Sequence, residues 1–140
     1  MDEGEAMRLV SHARVARLAT IDSEGRPHVV PVVFAADGRH IVTAVDHKPK
    51  TTTALKRVGN VAAHPRVSLL VDHYEEDWTR LWWVRVDGEA KTVSTGSEFN
   101  DALARLAAKY EQYRDQPPPG PVIVVAVDRV VGWAVSAAGA

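Results

Sequence analysis

Arg66-Val67-Ser68-Leu69-Leu70-Val71 follows a break in the chain at His64-Pro65 and reads as a strand, because Val67, Leu69 and Val71 share one face. Leu70 makes the opposite face partly apolar, so the strand belongs in the middle of a sheet. Downstream, a polar connection over 72–80 leads into a long strand, Leu81 to Val93, with a bend expected at Gly88. Upstream, Val15 to Thr20 alternates up to the turn cluster Asp22-Ser23-Glu24-Gly25-Arg26-Pro27, and His28 to Phe34 resumes as a β-rich run, which predicts a hairpin. Asp37-Gly38 turns the chain again into Ile41 to Val45, giving three strands in meander order. The last segment, Val122 to Val135, is apolar on both faces through Val127 and then alternates Val131, Trp133, Val135. It predicts a strand that crosses the core and emerges at an interface.

Helices fill the remaining space. Asp2 with Glu5 resembles a capping box ahead of Ala6, Leu9, Val10 and Ala13, predicting a helix over 3–13. A shorter helix is predicted from Ala54 to Val61, ending near Gly59-Asn60. The clearest covers 97–114, opened by Thr95-Gly96-Ser97-Glu98 and stopped by Pro117-Pro118-Pro119. Six β runs and three helices predict a mainly β (α+β) fold: a closed or nearly closed antiparallel barrel with peripheral helices, since an open sheet of this size leaves edges exposed.

At 140 residues the chain fits one domain, 1–140, with one core. A formal charge of −1 leaves no basic excess for a nucleic-acid backbone or an anionic membrane surface. With no cysteine, disulfides, thiolate metal sites and Cys nucleophiles are excluded. The acidic start, Met1-Asp2-Glu3-Gly4-Glu5, has no apolar run behind it, and Val122 to Val127 is too short to span a bilayer, so the expectation is a cytoplasmic protein.

Asp46-His47-Lys48-Pro49-Lys50-Thr51-Thr52-Thr53 reads as a polar turn between a strand and a helix start. Lys48 and Lys50 just before a helix N-terminus oppose its dipole by ~0.3–1 kcal/mol each. A bound anion removes that conflict, so the turn is a candidate phosphate grip, with a plain lysine-rich turn as the alternative. Motifs for catalysis are missing: no Gly-rich nucleotide loop, no HExxH and no Gly-x-Ser-x-Gly. The six histidines form no i, i+4 pair and predict no metal site. Asp72-His73-Tyr74-Glu75-Glu76-Asp77-Trp78 reads as a solvated acidic loop. Strand alternation sends Trp82 and Trp83 to opposite faces, so one packs inside while the other meets solvent, a partner subunit or a planar ligand.

The order of Val15-Ala16-Arg17-Leu18-Ala19-Thr20, Gly25-Arg26-Pro27-His28-Val29-Val30-Pro31-Val32, Lys48-Pro49-Lys50, Arg57-Val58-Gly59-Asn60-Val61 and His64 to Asp72 resembles the pyridoxamine 5'-phosphate oxidase-like superfamily of six-stranded antiparallel split β-barrels, the FMN-binding split-barrel type. With Tyr74 to Trp78 and Leu81 to Val86, the chain most resembles the actinobacterial branch of coenzyme F420-dependent enzymes. The resemblance implies a homodimer with two cofactor sites at the subunit interface. It implies that Lys48, Lys50, Thr51 and Arg57 hold the cofactor phosphate, that the backbone of His28, Val30, Pro31 and Val32 lines the ring, and that Asp77 and Trp78 complete the pocket. The expected activity is hydride transfer from reduced coenzyme F420, a deazaflavin, to a quinone- or enone-like acceptor, with no essential protein base. The alternatives are FMN as cofactor, or a non-catalytic flavin or deazaflavin carrier or sensor.

Overall fold

The computed structural model describes residues 1–45 and 52–135. Its strands are β1 (Ala16–Ile21), β2 (Pro27–Val32), β3 (Ala35–Ala36), β4 (His40–Ala44), β5 (Arg66–His73), β6 (Trp82–Val93) and β7 (Val122–Ala134). They form one antiparallel sheet in the order β2-β1-β5-β6-β7-β4-β3. The helices are α1 (Glu3–His12), α2 (Thr52–Ala63), α3 (Ser97–Lys109) and the short α4 (Glu111–Asp115).

The connectivity explains the curl of this sheet. β2 and β3 are its two outermost strands, yet only Val33 and Phe34 separate them in sequence. Three residue steps span at most ~11 Å, so the two edges must approach each other there, and the sheet rolls into a split barrel. The expected meander therefore fails at its third strand: β4 pairs with β7, not with β2. The Asp37-Gly38 turn does form, pairing β3 with β4, and the break lies before it, at Val33-Phe34, where Tyr110 holds the backbone. The Tyr110 hydroxyl accepts from the Phe34 backbone N–H at 3.1 Å and lies 2.9 Å and 2.8 Å from the Phe34 and Arg14 carbonyls, which takes the crossover backbone out of the ladder. The barrel has seven strands rather than six among the described residues, the addition being the two-residue β3.

Leu18, Phe34, Ile41, Val84 and Ile123 fill the barrel interior, closed at one side by Ala6 and Val10 of α1. A second cluster lies between the β4–β7 ladder and the α3–α4 pair, where Val42, Val122 and Val124 meet Ala102, Leu106 and Tyr113. The apolar character of both faces of the first half of β7 follows from this double burial.

Helix ends follow local chemistry. Asp2 caps α1 by accepting from the Glu5 N–H at 2.8 Å, as the sequence predicts. α2 runs past Gly59 to Ala63, further than expected. Buried Asn60 donates to the Thr20 hydroxyl at 3.0 Å and holds that turn against β1, and the helix stops only before Pro65. The single helix expected over 97–114 is instead two, because Tyr110 adopts an extended backbone to present its hydroxyl to the crossover. Gly96, at φ 94°, caps α3 with no side-chain hydrogen bond, in place of the expected capping box.

The β1–β2 turn carries a titratable latch. Buried Asp22 accepts from the backbone N–H groups of Arg26 and Glu24, both at 2.9 Å, and pairs with Arg26 Nε at 3.0 Å. The Arg26 backbone hydrogen bond is the leading cause that holds the Asp22 pKa down to about 2, against the opposing effect of burial. The folded pKa lies below the unfolded one, so this contribution is present above pH ~4 and is lost as the pH falls towards 2. Asp22→Asn keeps an acceptor for both N–H groups but cannot titrate. Its melting temperature is expected to fall less than wild type between pH 5 and pH 2.5, and equal falls in thermal scans would contradict the latch.

Candidate functional site

Strand alternation divides the sheet into an inner and an outer face. On β6, Val84 and Val86 point into the core, and so does Trp82, which packs against it. Trp83 and Arg85 therefore face outward, as the sequence predicts for one of the two tryptophans. The ladders extend this outer face across five strands. Pro31, Arg17, Leu70, Arg85 and Val131 stand in one row, and Ser68 opposes Asp87 in the next. Ile21, Val29 and Trp133 add exposed apolar surface, with Val29 60% exposed. An antiparallel sheet with one face solvated ordinarily turns polar side chains outward. This one sets aliphatic and indole groups among its arginines and carboxylates.

Two shallow cavities open on this face, each of about 420 Å³. One lies over Ala19, Pro27, Arg66 and Ser68, the other over Leu70, Asp72, Tyr74 and Trp83, and Arg85 borders both. Arg85 is fixed by Asp87, with Nε–Oδ1 at 3.0 Å and Nη2–Oδ2 at 3.2 Å, and Asp87 also accepts from the Ser68 hydroxyl at 2.7 Å. Partial burial pushes the Asp87 carboxyl up, but the Ser68 and Arg85 hydrogen bonds and nearby arginine charge outweigh it and hold the group ionised below its ordinary range. Arg17 approaches Asp72 at 3.5 Å. Cationic forks around apolar walls are the donor set that a planar, anionic cofactor or substrate requires.

The sequence-derived site residues are spread along this architecture. Lys48, Lys50 and Thr51 lie outside the described residues. Arg57 sits half-buried on α2. On β2, His28, Val30 and Val32 turn inward and Pro31 outward. His28 stands opposite Thr20, at the same end of β1 as the Thr20–Asn60 contact, and its Nδ1 is buried with no hydrogen-bond partner among the described residues. Val32 stands opposite Ala16, at the other end, which is the end where β5 turns into the loop holding Asp77 and Trp78. The structure therefore puts Pro31 and that loop at one end of the sheet and His28 at the other. Asp77 caps the single turn Trp78–Arg80, accepting from the Thr79 hydroxyl at 2.6 Å and its N–H at 3.1 Å; the hydroxyl bond is the leading cause of its lowered pKa. Its carboxylate is thus engaged locally, while the Trp78 side chain is 74% exposed.

Sequence reasoning missed Ser68, Arg85 and Asp87. The signal was present in alternation: once Val84 and Val86 are core, Arg85 and Asp87 must share the outer face with Trp83.

A curled antiparallel sheet with helices around it, its two edges drawn together at Val33 and Phe34, defines a split-barrel protein. The family model "Pyridoxamine 5'-phosphate oxidase" matches residues 3–134, and the chain belongs to that family. It is 30% identical over 131 residues to an F420H(2)-dependent biliverdin reductase of Mycobacterium tuberculosis, covering 93% of this chain and 87% of that protein. Among solved structures, a conserved hypothetical protein of Mycobacterium tuberculosis superposes with a TM-score of 0.79 at 23% identity, over 100% of this chain and 89% of the other. An FAD-binding protein of Mesorhizobium loti superposes with a TM-score of 0.72 at 22% identity, over 94% of each chain. The fold also recurs in haem-binding and haem-storage proteins of Mycobacterium smegmatis and Vibrio cholerae. At these identities the structural likenesses speak for the fold alone.

Proposed function

We propose that this chain is a cytoplasmic oxidoreductase that uses reduced coenzyme F420 to reduce an electron-poor conjugated acceptor, a quinone, an enone or a linear tetrapyrrole such as biliverdin. The observation that carries this reading is the 30% identity, sustained over nearly the whole chain, to a reductase dependent on F420H(2). When bound, F420H(2) supplies a hydride, and with one proton from water the acceptor gains two electrons and two hydrogens. The chain's own residues bind and orient. Lys48, Lys50, Thr51 and Arg57 hold the phosphate. The β2 stretch from His28 to Val32 lines the ring, and Asp77 and Trp78 bound the pocket at the loop end. Leu70 and Trp83 exclude water from the plane of the acceptor. Asp77 and Asp87 are held as carboxylates by their hydrogen bonds, so neither is a proton donor at neutral pH.

Two equivalent sites form when a second copy covers the outer face. The apolar groups Val29, Ile21 and Trp133 there, exposed in one chain, support that homodimer. Trp133, 43% exposed in one chain, is expected to matter for association rather than for the core. Trp133→Ala should shift the monomer–dimer equilibrium towards monomer by tenfold or more in sedimentation velocity; an unchanged dimer would place the interface elsewhere.

Titration of the purified protein with F420 and with FMN, followed by absorbance and fluorescence, tests the cofactor. Saturable binding of the deazaflavin with turnover of a quinone or tetrapyrrole supports the reading. FMN binding without deazaflavin binding overturns it, and deazaflavin binding without turnover across such a panel indicates a carrier.

A further inference from the structure

We infer that Arg85 anchors a carboxylate on the hydride acceptor, so that this site selects planar conjugated acids over their neutral counterparts; the inference rests on the outer face being the reaction site. Arg85 borders both cavities of that face. Its guanidinium is gripped along the Nε–Nη2 edge by Asp87, at 3.0 and 3.2 Å, and Asp87 is braced by Ser68 at 2.7 Å. A fork held by one carboxylate on that edge presents its Nη1 side in a fixed plane, pre-organised for a second carboxylate. Apolar Leu70 and Trp83 line the adjoining cavity and suit the conjugated plane of the same molecule. Arg17 stands in the same row on the far side of Leu70, two strands from Arg85 and so about 10 Å away. That places a second cation within reach of an elongated acid. Arg66, by contrast, gives both terminal nitrogens to Asp128.

The probes are a 1,4-naphthoquinone carrying a propionate side chain and its methyl ester. Wild type should show kcat/KM at least tenfold higher for the acid, chiefly through KM. Arg85→Gln should lose at least tenfold more on the acid than on the ester, with the dissociation constant for F420 within twofold of wild type. Arg85→Lys, which keeps the charge but not the fork, should fall between the two and also serves if the Gln variant does not fold. Equal losses on acid and ester overturn the inference. So does a fivefold or greater loss of F420 affinity, which would assign Arg85 to the coenzyme. If wild type binds no F420, the functional reading fails separately, and binding of the two probes is then read from quenching of tryptophan emission. Tenfold tighter binding of the acid, abolished in Arg85→Gln, still supports the anchor, and equal binding refutes it.

Discussion

Lys48→Ala combined with Lys50→Ala is expected to weaken the binding of reduced coenzyme F420 by about 2–4 kcal/mol, some 30- to 1,000-fold in the dissociation constant. Both residues lie in sequence between β4 and α2, outside the described residues. The expected size of the loss is that of two charge-assisted hydrogen bonds to the phosphate that the proposed function places on these lysines. Fluorescence titration measures the loss. Thermal melting of the same variant should match wild type or rise slightly, because removal of the two cations relieves the conflict with the helix terminus. An unchanged dissociation constant would remove the phosphate from this turn.

Gly88→Ala should cost more than about 3 kcal/mol of stability and lower the melting temperature by roughly 10 °C. A Cβ at this position would lie 2.3 Å from the Ala126 carbonyl oxygen and 2.8 Å from Val125 Cγ1. The oxygen belongs to the β6–β7 ladder and cannot swing aside as a side-chain tip could. Here the register shifts: Asp87 stands opposite Arg129 and Gly88 opposite Val127, leaving Asp128 as the extra residue of a bulge. The bulge turns Asp128 towards Arg66 and re-aims the strand just beyond Asp87. Gly88→Ala should therefore disturb the outer face as well as stability. Gly38, whose Cβ would meet nothing within 4 Å, is the control: Gly38→Ala should stay within about 0.5 kcal/mol of wild type in the same melts. Equal stability of the two variants would mean that β6 and β7 can separate at the bulge without loss.

The elements that were legible in the sequence are those fixed by local chemistry. Asp2 and Glu5 mark the start of α1, Gly25 the β1–β2 turn, and the alternation of Val67, Leu69 and Val71 a central strand, while at Gly88, where a bend of β6 is expected, the structure has a register shift against β7. What escaped depended on partners distant in sequence. The break of the third helix at Tyr110 goes with a hydroxyl that binds the backbone of Phe34, 76 residues earlier, and the β4–β7 ladder also joins segments far apart in the chain. The extension of α2 past Gly59 likewise rests on Asn60 reaching Thr20, 40 residues away. Neither contact leaves a periodic trace in the chain.

For the site, the residue types were legible but their grouping was not. His28, Val30, Pro31 and Val32 are one short run in sequence, but a strand sends them to opposite faces, so Pro31 shares the outer row with Arg17 and Leu70 while the other three turn inward. Arg85 and Asp87 were hidden for a related reason. The sequence leaves open which of Trp82 and Trp83 faces out, and only the placement of Val84 and Val86 in the interior turns Arg85 and Asp87 outward.

A crystal structure of the protein with bound F420 tests the central claim most directly. The account predicts a twofold dimer joined through the outer face of β1, β2, β5, β6 and β7, with the deazaflavin ring against β2, the coenzyme phosphate at residues 48–51, and Arg85 facing the acceptor side. Difference density for the coenzyme away from that face, or a dimer that leaves Val29, Trp83 and Trp133 in solvent, would contradict it.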